Sequence, residues 1–145
     1  MYDTILIPTD GSEAALQAVK HGATLADFHD AYIHILYVVD ATSFKGMGTE
    51  TVGTDPINTA MQDGEDIVAE AAETISHYSA DVTTAVEQGT PEETILSYIN
   101  DQAIDVVAMG THGRSGIQRY LKGSVTEQVV RSSPVPVLTL SNSIE

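Results

Sequence analysis

The sequence predicts an α/β fold: a doubly wound, five-stranded parallel sheet in the order 3-2-1-4-5 with helices on both faces. Three observations carry that expectation. Short apolar runs alternate from end to end with longer segments whose apolar residues recur at steps of three and four, the pattern of βαβ units. The runs Thr4-Ile-Leu-Ile-Pro8 and Ile104-Asp-Val-Val-Ala-Met109 lack a polar face, as strands covered on both sides do. Helix-starting signals then follow these runs, at Thr9-Asp10-Gly11-Ser12 and at Gly123-Ser124. With 145 residues, 42% of them hydrophobic, the chain suits one domain spanning 1–145.

The elements follow in order. Thr4 to Pro8 is a central strand, and Ser12 or Asp10 can cap the helix after it, which reaches about Ala26 with Leu16, Val19, Ala23 and Ala26 on one face. Ala31 to Val39 is the second strand. Residues 41–54 mix Gly46, Gly48 and Gly53 with Thr and Ser, carry no period and read as a loop. Asp55-Pro56 opens a long helix with Asp as cap and Pro at the first position. Its stripe of Ile57, Met61, Gly64, Val68, Ala71, Ile75 and Tyr78 is core packing rather than a cofactor box, although Gly64 is a poor helix former.

Asp81 to Val86 is the third strand, and Thr90-Pro91-Glu92-Glu93 reads as a capping box for the helix carrying Ile95, Leu96 and Ile99. Ile104 to Met109 is the fourth strand. Ser124-Val-Thr-Glu127 reads as another capping box, with Val129 and Val130 in its helix. Pro134-Val-Pro-Val-Leu-Thr-Leu140 is the last strand. Proline within it places it at a sheet edge, and an apolar edge invites a twin strand, so a homodimer through Val135 to Leu140 is expected.

The charge balance is strongly acidic, with 21 Asp and Glu against 6 Lys and Arg, formally −15. Such a surface repels nucleic acid, which needs many cationic contacts. It fits adaptation to high salt, where screening limits self-repulsion, against the plainer reading of a dispensable solvated face. No apolar run approaches the roughly 18 residues of a membrane span, and the first residues lack a signal peptide's basic region, so a cytoplasmic protein is expected. There is no cysteine, and the five histidines form no H-x-x-x-H pair, so no metal site is expected from side chains alone.

Against that background, Arg114, Arg119, Lys122 and Arg131 cluster late in the chain, among Gly110, Gly113, Gly116 and Gly123. Amides without Cβ crowding, beside cations, suit a phosphate. In a doubly wound sheet the ligand lies beyond the carboxyl ends of the strands where their order reverses, so Asp10 and Gly110 should face one crevice. A Walker A loop fails, because Lys122-Gly123-Ser124 has the wrong order and place. The dinucleotide fingerprint fails too, because the glycines give G-x-x-G-x-x-G. A receiver domain would want a phospho-accepting Asp after the third strand, where Glu87-Gln88-Gly89 stands instead.

What fits is G-x2-G-x9-G-S, formed by Gly110, Gly113, Gly123 and Ser124. With Ile5-Leu-Ile-Pro-Thr-Asp-Gly-Ser-Glu13, Val86-Glu-Gln-Gly-Thr-Pro91, Met109-Gly-Thr-His-Gly-Arg-Ser-Gly116 and Pro134-Val-Pro-Val137, the chain resembles the ATP-binding branch of the universal stress protein family over nearly its whole length, residues 41–55 excepted. The resemblance implies a Rossmann-like fold, a dimer through the last strands, and ATP, or ADP or AMP, in the crevice with Mg2+ on its phosphates. By position it implies that Pro8, Thr9 and Asp10 line the adenosine and that Val38 meets adenine through its backbone. Gly110, His112, Gly113, Arg114, Ser115 and Gly116 would lie along ribose and phosphates, and Gly123, Ser124 and Val125 would hold phosphate oxygens.

The plainer roles stand beside these: Asp10 as turn former, Ser124 as N-cap, His112 and Arg119 as solvated side chains, Arg131 as a partner of the helix dipole. No residue comes with the orienting partner that catalysis requires, so no catalytic residue is assigned. A regulatory protein read by an unknown partner through its nucleotide is the leading expectation. A slow ATPase and a nucleotide-free dimeric scaffold are the alternatives.

Overall fold

A computed structural model gives the fold and describes residues 2–40, 56–111 and 124–141. The elements run β1 (Thr4–Pro8), α1 (Glu13–His29), β2 (Tyr32–Val39), α2 (Pro56–Thr74), β3 (Val82–Gln88), α3 (Pro91–Asp101), β4 (Val106–Gly110), α4 (Ser124–Ser132) and β5 (Val137–Leu140). The strands form one parallel sheet in the order β3-β2-β1-β4-β5, as the sequence predicts. Each crossover must return the chain to the same end of the sheet, which is what a helix between successive strands does.

Alternation along the strands sorts the core into two layers. Ile5, Ile7, Ile33 and Ile35 face α1 and α2, whose Val19, Ala23, Val68 and Ala71 cover them. Leu6, Leu36, Val107 and Met109 face the other way, onto Ile95, Tyr98 and Ile99 of α3 and Val129 of α4. Both faces of β1 are thereby buried, the reason its sequence has no polar face.

The helix faces are built for close approach. The inward face of α1 is mostly alanine (Ala14, Ala15, Ala18, Ala23, Ala26) plus Gly22, and Leu16, expected inward, is only half-buried. A Cβ on Gly22 would lie 2.5 Å from Ile7 Cδ1, and one on Gly64 would lie 2.5 Å from Tyr37 Cδ2. Gly64, unexplained by helix propensity, is therefore the notch in α2 that admits the Tyr37 ring.

Several boundaries and caps differ from expectation. Helix α2 stops at Thr74, and Ile75 and Tyr78 continue its stripe from a turn held by Ile75 N–H to Ala72 C=O and Tyr78 N–H to Ile75 C=O. Thr90 occupies the N-cap of α3 with Pro91 behind it, but its hydroxyl makes no capping bond; its carbonyl accepts from Thr94 N–H at 2.8 Å. Ser124 opens α4 at the edge of the described residues, so its expected cap adjoins residues outside them, and Glu127 pairs with Arg131 at 2.8 Å. The prolines at 134 and 136 precede β5, so its edge position follows from topology, not from a missing N–H inside the strand. The expected loop at 41–54 and the Asp55 cap lie outside the described residues.

Candidate functional site

The site begins where a hydrogen-bond ladder cannot continue. Strands β1 and β4 pair through Ile5 with Val106 and Leu6 with Val107. In that register the next rung would carry the N–H of residue 8 to the carbonyl of Ala108, and residue 8 is Pro8, which has no N–H. Registered pairing therefore ends after two pairs, although β4 runs on to Gly110. A split at the carboxyl end of the two central strands is the position of a ligand crevice in an open α/β sheet.

On the other side of β1, Thr9 N–H donates to Leu36 C=O at 2.9 Å, and the chain then turns away. Because main-chain groups along a strand alternate sides, Val38, two residues on, points its N–H and C=O the way Leu36 does, beyond the last bond from β1. The Val38 side chain packs into the α3–α4 layer, which fixes that orientation.

The turn after β1 is fully determined. Thr9, 9% exposed, accepts the Gly11 N–H on its hydroxyl at 3.1 Å, and Gly11 holds φ +83°, a value that favours glycine. Asp10 Oδ1 accepts from Ser12 N–H at 2.9 Å, and Ser12 Oγ accepts from Ala15 N–H at 3.2 Å as the cap of α1. Asp10 is thus a turn former, and Ser12, not Asp10, is the cap. The other carboxylate oxygen of Asp10 has no partner among the described residues, and the side chain is exposed. Burial, with the charges of Asp10 and Asp63 nearby, raises the pKa of Tyr37, so its phenol stays protonated at the foot of this turn.

The far wall is anchored by groups that spacing alone did not single out. Thr126, 7% exposed, donates its hydroxyl to Gly110 C=O at 3.0 Å and so fixes the start of α4 over the end of β4. A buried polar residue on an otherwise apolar helix face was its available signal. Gly110 also has a packing reason to be glycine. A Cβ there would meet the carbonyl carbon and oxygen of Ala14 at 2.5 and 2.6 Å and the nitrogen of Ala15 at 2.7 Å.

Pro8, Thr9, Asp10, Val38, Gly110, Ser124 and Val125 accordingly lie at the carboxyl ends of β1, β2 and β4 and at the start of α4. His112, Gly113, Arg114, Ser115, Gly116 and Gly123, with Arg119 and Lys122, lie outside the described residues. Arg131 is in the last turn of α4, paired with Glu127, and belongs to the helix rather than to the crevice. No group of three or more metal-ligating side chains occurs among the described residues. No helix among them is long and apolar enough to cross a membrane.

The fold recurs in known proteins. Residues 1–141 match the model of the universal stress protein family. Universal stress protein MJ0531 of Methanocaldococcus jannaschii is 31% identical over 140 residues, covering 97% of this chain and 82% of that one. MJ0577 of the same organism is 31% identical over 154 residues, covering 97% and 95%. Its solved structure superposes with a TM-score of 0.84 over 100% of this chain and 99% of that one, at 28% identity. A universal stress protein solved in complex with cAMP is similar at a TM-score of 0.70 and 25% identity, with 96% of each chain covered. Sequence motif, strand order and these likenesses agree, and the chain belongs to the universal stress protein family.

Proposed function

We propose that the chain binds an adenine nucleotide in the crevice at the end of β1 and β4, with ATP as the physiological ligand, and that the bound state is what a partner reads. The observation that supports this best is the ladder break at Pro8. It leaves a slot bordered by an exposed carboxylate, a main-chain N–H and C=O at Val38, and a helix N-terminus, which are the group types that a ribose, an adenine edge and a phosphate require. The amides opening α4 concentrate about half a positive charge, which favours phosphate over neutral ligands. Gly113, Arg114, Gly123 and Ser124 would complete the phosphate site, with Arg114 as its cation. The solved relative with cAMP supports the adenine class.

Mg2+ retains several waters and prefers phosphate oxygens to dedicated side-chain cages, so here it would enter bridged on the ATP phosphates. The chain would act as a cytoplasmic homodimer. The exposed Leu138 on edge strand β5 would pair across the two-fold axis, burying apolar surface that a monomer leaves in water. Regulation rather than turnover is the reading, because Asp10 has one oxygen committed to its own turn.

The deciding measurement is mass spectrometry of the nucleotide released from purified protein, together with Mg-ATP titration of two variants. Pro8→Ala restores the missing donor and should let the β1–β4 ladder advance into the slot, weakening ATP at least tenfold. Gly123→Val should abolish binding. Unchanged affinity in both variants, or protein that neither carries nor takes up nucleotide, would falsify the site.

A further inference from the structure

The carbonyl that holds α4 points toward β1, beyond the last β1–β4 pair. Along β4, Val107 N–H donates to Pro136 C=O and, just past the strand, Thr111 N–H donates to Leu140 C=O. Residues 107, 109 and 111 therefore turn their main-chain groups toward β5, and Ala108 and Gly110 turn theirs toward β1. In that register a longer β1 would bring the N–H of residue 10 to the Gly110 carbonyl. The chain has turned away after Thr9, and the carbonyl accepts the Thr126 hydroxyl at 3.0 Å instead. A threonine inside a helix ordinarily offers its hydroxyl to the carbonyl three or four residues earlier. Thr126 offers it to a residue 16 positions back, on another element.

Gly110 is held on its other sides as well. Pairing with Leu140 ties it to β5, and the α1 backbone at Ala14 and Ala15 lies so close that a Cβ would come within 2.7 Å of three atoms. Its carbonyl is thus a fixed point that joins α4 to the helix following the Asp10 turn. Val125 and Val129 pack into the α3 layer and choose the face that α4 lays down. Apolar contact is non-directional, however, and lets a nine-residue helix slide. A hydrogen bond weakens steeply once its length or angle departs from the optimum. The Thr126 bond accordingly sets how far the first turn of α4 stands from the turn of Thr9, Asp10 and Gly11.

The nucleotide reading proposed above, on which this inference rests, puts ribose at Asp10 and phosphate at the amides opening α4. We propose that Thr126 is the positioning residue by which the crevice selects phosphorylated over unphosphorylated adenosine. Its hydroxyl, committed to Gly110, touches no ligand. It holds the first-turn amides where phosphate oxygens fall when the ribose is at Asp10. Without the bond those amides keep their partial charge but lose their place, so phosphate gains less from them. Contacts to base and ribose, made from β1 and β2, are left as they were.

The test is isothermal titration of Mg-ATP and of adenosine on the full chain and on three variants. Thr126 is 7% exposed, so Thr126→Val keeps the packed volume and Thr126→Ala adds nothing that could clash; both remove the hydroxyl, which Thr126→Ser retains. Mg-ATP should weaken about tenfold in Thr126→Val and Thr126→Ala, the worth of one buried hydrogen bond, with adenosine within about twofold of wild type. Thr126→Ser should stay near wild type for both ligands. A merely structural Thr126 would lower the melting midpoint and cut the competent fraction for both ligands alike, leaving the ratio of their affinities unchanged. That unchanged ratio overturns the proposal, as does Thr126→Ser losing as much ATP affinity as Thr126→Val. Wild-type protein that takes up neither ligand overturns the nucleotide reading and this inference with it. Wild-type protein that binds both, with the ratio fixed across the variants, overturns this inference alone.

Discussion

At the scale of single residues, three side-chain identities decide geometry. Pro8 ends the β1–β4 ladder, Gly110 lets α1 seat on β4, and Gly64 admits Tyr37. Gly110→Ala places a methyl within 2.7 Å of three backbone atoms of α1, which cannot rotate aside. We expect a loss of about 2–3 kcal/mol, read as a lower urea midpoint at unchanged m-value. His34 makes a different prediction. Its Nδ1 lies 2.7 Å from the Tyr98 hydroxyl, and burial lowers its pKa below the ordinary 6.5. The unfolded chain therefore takes up this proton first, and stability is complete above about pH 6.5 and declines as pH falls below it. The difference in melting midpoint between pH 7.5 and 5 should shrink in His34→Asn relative to wild type; an equal difference would show that other groups set the slope. Burial, with Glu87 nearby, raises the pKa of Tyr98, so its contribution is lost in the opposite direction, as pH climbs above about 10.

At the scale of elements, the types and order were legible in the sequence, whereas the ends of several elements were not. Every strand and helix among the described residues was expected, because apolar period and turn chemistry are local properties that survive folding. Caps proved less legible. Thr90 matches the capping-box pattern yet makes no side-chain cap, since the approach angle of the preceding chain decides which hydroxyl meets which amide. The start of β1 relies on a contact that no local pattern announces. Asp105 Oδ2 accepts from Asp3 N–H at 2.8 Å and Thr4 N–H at 3.0 Å, across a hundred residues. Asp105→Ala should cost about 1–3 kcal/mol and accelerate amide exchange at Asp3 and Thr4. Asp105→Asn, which retains an acceptor, should restore most of the protection.

At the scale of the whole molecule, a formal charge of −15 on 145 residues sets conditions for the fold as well as for its partners. Self-repulsion shrinks as the Debye length falls from about 10 Å at 0.1 M salt to about 3 Å at 1 M. The melting midpoint should therefore rise between 0.1 and 1 M KCl, and a flat midpoint would count against adaptation to salt. By itself the sequence determined the βαβ succession, because periods of two and 3.6 are local properties, and its G-x2-G-x9-G-S motif carried the family resemblance that implies a Rossmann-like fold. It also marks the segment that the proposed phosphate site needs, since clustered glycine and arginine stand out against an acidic chain. Only the tertiary structure decided why the β1–β4 ladder ends where it does. A missing N–H at Pro8 matters only in the register that sets it opposite Ala108, and the hold of Thr126 on Gly110 exists only once α4 is laid over β4. Register and close approach are relations between distant residues, and a linear pattern records each residue without its partner.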